Sequence, residues 1–190
     1  IETVSGTSPG YARSGRLQPV MDTHGLALAH ARTKTAKELW QGHARWDVIK
    51  AEDQAWAPQS PTGYLIKDTL TARIHPRRAC AALAAAIVAR GGEVVNDGPQ
   101  QGRIVWATGV AGLKELTSNH TRSVGNGVKG QGALLRHDTP NMPQIFADTV
   151  HIVPHEDGTV AIGSTSERDY DDPLTTDDQL DVVIDRAITA

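Results

Sequence analysis

The chain has 190 residues, 39% hydrophobic and 22% charged, with a net charge of −3 when its eight histidines are neutral, a size that suits one large domain or two small ones. That balance excludes the concentrated basic surface of a nucleic-acid binder, and the longest apolar run, ACAALAAAIVA at 79–89, falls short of the roughly 18 residues a membrane span needs. A single cysteine, Cys80, excludes an internal disulfide and points to a reducing, cytoplasmic setting; inside the alanine run it reads as a small buried filler.

In chain order, SGTSPGYARSGRLQP at 5–19 reads as a loop, rich in Gly, Ser and Pro. Leu26, Ala29, Ala36, Leu39 and Trp40 recur at near-helical intervals, which predicts a helix over 26–40 that stops at Gly42. AWAPQSPTG (55–63) is a second loop, and YLIKDTLTARI (64–74) is strand-like with turn or edge character. Pro76 opens a helix that runs through the alanines to Arg90, and Gly91–Gly92 caps it. Glu93–Val95 and Arg103–Ala107 read as short strands joined by NDGPQQG, which is α/β grammar.

Beyond Gly127 the helical signal stops. Segments 128–136, 144–154 and 159–164 read as strands, with HEDG turning between the last two. A final helix starts with Thr176 as N-cap and Gln179 as its reciprocal partner. The fold class is mixed α/β, an α/β portion joined to an antiparallel sheet.

Several motifs invite chemistry. Gly125, Gly127 and Gly130 have the G-x-G-x-x-G spacing of a dinucleotide turn, but polar TSNHTRS precedes them and a strand follows. A phosphate cradle needs a strand before and a helix after, so the glycines read as a bend entering a strand. GTSPG at 6–10 matches a nucleophile elbow around Ser8, yet Pro9 lacks the N–H that an oxyanion hole would use. His151 and His155 are four apart on a strand, which does not bring two imidazoles together for a metal. DYDDPLTTDD (169–178) lacks the calcium-loop glycine and reads as a helix-capping acidic turn; NHT at 119–121 is a chance glycosylation triplet. RIVWATG (103–109) reads as a buried strand whose small final residues let a ligand, or only a tightly packed turn, approach closely.

Five segments carry a resemblance. GRIVWATGVAGL, VKGQGALLRHD and IFADTVHIVPHEDGTVAIGSTSE, in this order, and with them the opening loop and IHPRRACAALAAAIVARGGEVV, resemble parts of the FAD-dependent amine and amino-acid oxidoreductases, the D-amino-acid oxidase, glycine oxidase and sarcosine oxidase group. The resemblance covers most of the chain, and it implies a piece from the middle of such an enzyme. The family's glycine fingerprint is expected before Ile1, and its Gly-x-Arg-Pro segment after Ala190.

It further implies four portions: an FAD-proximal loop and helix at 1–45, a substrate-domain segment at 46–72, an FAD-domain helix and strands at 73–113, and the antiparallel substrate-domain sheet with the start of a helix at 114–190. Arg13, Ser14, Gly15 and Arg16 would pass near the flavin, and Ala107, Thr108 and Gly109 would lie beside its phosphate and ribose. Phe146 and His151 match positions where the family often has tyrosines lining the substrate pocket. The implied activity is oxidation of a C–N bond of an amino acid or secondary amine by hydride transfer to FAD. This stretch shows no obvious catalytic base. Without the fingerprint helix, this stretch alone is expected to bind FAD poorly. The other reading is a non-catalytic α/β binding module or stable fragment without cofactor.

Overall fold

Short alternating segments pair into one seven-stranded sheet in the computed structural model, which describes residues 1–53 and 56–190. The elements are α1 (Glu2–Ser5), β1 (Arg16–Pro19), α2 (Thr23–Trp40), β2 (Trp46–Lys50), β3 (Tyr64–Asp68), α3 (Pro76–Ala89), α4 (Gly109–Ser118), β4 (Gly132–Arg136), β5 (Gln144–Ala147), β6 (Val150–Pro154), β7 (Thr159–Gly163) and α5 (Asp178–Thr189), with a 3-10 turn at Ala51–Asp53. The strand order is β2-β3-β1-β5-β6-β7-β4. All neighbours are antiparallel except β1 and β5, which run parallel with Leu17 beside Ile145. The mixed α/β class expected from the sequence is the one observed.

Period-2 alternation sends residues to two faces, and the two ends of the sheet bury opposite ones. Ile145, Ala147, Val150, Ile152, Val160 and Ile162 pack against Val183 of α5 on one face. On the other face Ile66, with Trp46, Val48 and Tyr64 around it, packs against Ala29 and Leu26 of α2, and the Trp46 indole N–H donates to the Ala29 carbonyl at 3.1 Å. The α2 face continues across β1, β5, β6 and β7 without a covering helix among the described residues. It carries Arg16, Phe146, His151, Val153, Ala161 and, on β4, the 61% exposed Leu134.

Some local expectations are corrected. A short helix, α1, precedes the loop expected at 5–19, and the end of that loop forms a strand, β1, with Leu17 and Pro19 buried. Residues 144–154 form a hairpin rather than one strand, because Asp148 and Thr149 turn the chain with φ of 43° and 66°. Asp-Thr is not a usual turn pair. Its geometry is held by α5: Arg186 donates to the Thr149 hydroxyl at 3.1 Å and pairs with Asp148 at 3.4 Å.

Glu93–Val95 and Arg103–Ala107 form no strands. Val94, Val95, Val105 and Trp106 are 59–83% exposed and have no neighbouring strand among the described residues, so their backbone ladder has nothing to pair with. After them comes α4, which the glycine-rich sequence concealed. The cap of α5 is Asp177, one residue past Thr176. Cys80 is exposed rather than buried, because α3 turns Ala82 inward and Cys80 outward. The start of the loop expected at 55–63 lies outside the described residues.

Candidate functional site

Ser14 and Gly15 form the turn that delivers the chain into β1. Gly15 has φ of 76°, its N–H donates to Thr71 and its carbonyl accepts from the Gln144 N–H, and a Cβ there would collide with the Asp68 carbonyl. Only glycine fits both the angle and the approach. The next residue, Arg16, pairs through Nε with Asp68 Oδ2 at 3.1 Å. Asp68 is 2% exposed, and its other oxygen accepts the N–H groups of Leu70 and Thr71 at 3.1 and 2.7 Å. Asp68 Oδ2 and Arg16 Nε make no hydrogen bond among the described residues, so the two side chains are held together by charge while the Leu70 and Thr71 N–H groups fix the carboxylate.

Register then carries Arg16 to the aromatic pair. Phe146 of β5 faces His151 of β6 directly across the ladder, ring centroids 4.5 Å apart, and the Arg16 guanidinium carbon stands 5.9 Å from the Phe146 ring centre. Partial burial and the Arg16 charge hold the His151 pKa below the ordinary imidazole value. At neutral pH the cluster therefore presents one cation, one aromatic face and one neutral imidazole, all toward the open part of the sheet.

The other residues singled out from the sequence sit differently. The Arg13 guanidinium is committed to the His43 and Thr69 carbonyls at 2.8 and 3.1 Å. The Ser14 hydroxyl is buried and without a hydrogen-bond partner among the described residues. Ala107, Thr108 and Gly109 lead into α4 and line a cavity of about 440 Å³ with Trp106, Leu113 and Leu116. None of the Arg13–Arg16, Phe146 or His151 residues lines that cavity. Thr108 precedes α4 without a side-chain cap bond, so the first N–H groups of that helix remain available.

The false motifs resolve physically. Gly125 and Gly127 are small because they touch α4 and Tyr170: a Cβ at Gly127 would lie 2.6 Å from the Tyr170 hydroxyl, and one at Gly125 3.0 Å from Leu113. Ser8 accepts the Gly10 N–H in a local turn, without the strand before it and the helix after it that an elbow requires. His155 packs instead in a buried contact with His75, ring centroids 4.8 Å apart, and the described residues hold no cluster fit for a metal ion.

Sequence reasoning missed Asp68, whose signal was the Asp-x-x turn in KDTLT. It also missed the network of Lys129, Gln131, Thr165, Glu167 and Asp177. Gln131 donates to Glu167 and Asp177 at 3.0 and 2.9 Å and accepts the Asp177 N–H, while Lys129 lies 3.8 and 3.9 Å from the same two carboxylates.

Comparison with known proteins agrees with this architecture. The family model "FAD dependent oxidoreductase" matches residues 1–190. Among curated proteins nothing matches. Glycine oxidase from Bacillus cereus ATCC 14579 superposes with a TM-score of 0.70 at 18% identity, over 99% of this chain and 58% of that one. Iminodiacetate oxidase from Chelativorans sp. BNC1 gives 0.67 at 19% identity, over 98% and 58%. L-proline dehydrogenase from P. horikoshii gives 0.65 at 12%, over 99% and 57%. The chain thus spans less than two thirds of the length of these structures, and at such identities they speak to fold. With its whole length matched by the family model, the chain belongs to the FAD-dependent oxidoreductase family.

Proposed function

We propose that this chain forms the substrate-side sheet and part of the cofactor wall of a flavoenzyme that oxidises a C–N bond of an amino acid or secondary amine. The observation that carries this reading is the Arg16–Phe146–His151 cluster on the one part of its sheet face that no described helix covers. A family enzyme needs an apolar platform there with a few polar groups to orient its substrate.

The residues present fit FAD in two places. The buried hydroxyl of Ser14 has no hydrogen-bond partner among the described residues and sits beside the close-packed Gly15 turn. The N-terminus of α4, entered through Ala107, Thr108 and Gly109, opens on the 440 Å³ cavity and suits a phosphate. When bound, FAD supplies the two-electron oxidation by accepting hydride from the carbon next to nitrogen. The protein's own work is positioning: Phe146 shields one side of the substrate from water, and neutral His151 exchanges a hydrogen bond with the amine without competing for its proton. In this reading residues 1–45 and 73–113 border the cofactor, while 46–72 and 114–190 border the substrate.

The test is FAD titration of the full-length gene product, followed by flavin fluorescence and by bleaching of the bound flavin with a panel of amino acids and secondary amines under anaerobic conditions. The expected result is stoichiometric flavin binding and reduction by at least one panel member. A full-length product that binds no flavin overturns the reading.

A further inference from the structure

The N-terminus of α3 and the turn between β6 and β7 meet through charged and titratable side chains. His75 caps α3, its Nδ1 accepting the Arg78 N–H at 3.5 Å, while its Nε2 stands 3.3 Å from Asp157 Oδ2. Arg78 Nη1 pairs with Glu156 at 3.2 Å. The buried ring of His155 packs 4.8 Å from that of His75. Arg73, also buried, donates to the Pro140 carbonyl at 2.9 Å and has no carboxylate partner among the described residues. Asp138 stands beside Gly158 in the turn, and the Ser8–Gly10 stretch against which His75 packs offers no charged side chain.

A neutral His75 suits this geometry, one ring nitrogen accepting the helix N–H while the other faces a carboxylate. A proton on Nδ1 ends that acceptance and uncaps α3. A proton on His155 puts a second buried charge near Arg73 and against His75, where Asp157 and Glu156 are already engaged with His75 and Arg78. The β6–β7 ladder and the packing of Ile152, Val160 and Ile162 against α5 use none of these side chains.

We propose that this contact is a proton-operated clasp: when His75 and His155 take up protons, the 155–158 turn leaves the N-terminus of α3 while the sheet stays folded. The proposal stands on these contacts and is independent of the flavoenzyme reading. The clasp lies at the opposite end of the β6–β7 hairpin from the His151–Gly163 pair, apart from the open-face cluster. Burial first, and then the charges of His75, Arg73 and Arg78 against the pull of Asp157, hold the His155 pKa below the ordinary imidazole value. The released turn therefore takes up the proton more readily than the docked one, and acid favours release.

The test is amide hydrogen exchange on the full-length gene product from about pH 7.5 to about pH 5.5, a range that spans the ordinary imidazole value, with rates corrected for the intrinsic pH dependence of exchange. Protection at Arg78, at Ala79 and in the 155–158 turn is expected to fall about ten-fold over that range, while Ile152, Val160 and Ile162 keep theirs. His75→Asn, which still caps a helix and does not titrate, is expected to keep wild-type protection in α3 near neutral pH and to flatten the response. His155→Gln is expected to flatten it too, and the double variant to remove it.

Protection that falls equally in the strands and in the clasp overturns the proposal, because acid then acts on the whole fold. Protection in the clasp that stays constant with pH overturns it as well, and so does a local response that survives in the double variant.

Discussion

His155 is 4% exposed, its Nδ1 has no partner among the described residues, and its ring lies 4.8 Å from that of His75. Burial lowers its pKa first, and the positive neighbours His75, Arg73 and Arg78 lower it further against the opposing pull of Asp157. The native protein thus holds this imidazole neutral, while the unfolded chain protonates it near the ordinary value of about 6.5. Its contribution to stability is full above that pH and is lost as pH falls from there through the depressed native pKa. Urea midpoints measured against pH are therefore expected to be flat above neutrality and to fall on acidification below about 6.5. His155→Gln should shallow that acid slope, and an identical slope in the variant would contradict the assignment. His151 shifts in the same direction, so some slope remains.

At the scale of elements, the sheet is tied to α5 through polar groups rather than through packing alone. Gln131 is 3% exposed and bonds both the Asp177 backbone N–H and its carboxylate. That carboxylate in turn caps α5 by accepting the Gln179 N–H at 3.0 Å. The Gln131 hydrogen bond, followed by the Gln179 backbone bond, keeps the Asp177 pKa below the usual carboxylate range, so the cap stays ionised well into acid. Gln131→Ala removes a donor from the buried Glu167 carboxylate and should cost about 1–3 kcal/mol in urea unfolding. Amide exchange in the first turn of α5 should accelerate with it. Asp177→Asn, which can still cap, should disturb that turn less than Asp177→Ala. A Gln131→Ala protein with wild-type stability would mean the network is ornamental.

At the scale of the molecule, the described residues leave an apolar surface uncovered: Val94, Val95, Val105 and Trp106, with Leu83, Ile87 and Val88 on α3. Residues exposed to this degree contribute little to the folded state of this chain. Val105→Asp should change its unfolding free energy by less than about 0.5 kcal/mol, while reducing binding of a hydrophobic dye. A large destabilisation would show that the segment is packed after all.

Much of this architecture was legible in the residues themselves. Pro76 after His75 set the start of α3, the 3.6-residue period from Leu26 to Trp40 set α2, and the alternating strands with their HEDG turn set β6 and β7. These signals are local, and local sterics decide them. Phe146 and His151 were identified by resemblance, but their meeting needed the Asp148–Thr149 turn, which Arg186 holds from α5, 37 residues on along the chain. Arg16 lay in a stretch that reads as loop; it became a strand because β3 and β5 flank it. The valines at 94, 95 and 105 have strand character but no neighbouring strand among the described residues, so they form none. The sequence by itself determined the family, the helices α2, α3 and α5, and the alternation that gives each strand two faces. Tertiary structure alone decided which face stays open and which residues meet on it, because register and long-range ion pairs depend on partners that no local pattern names.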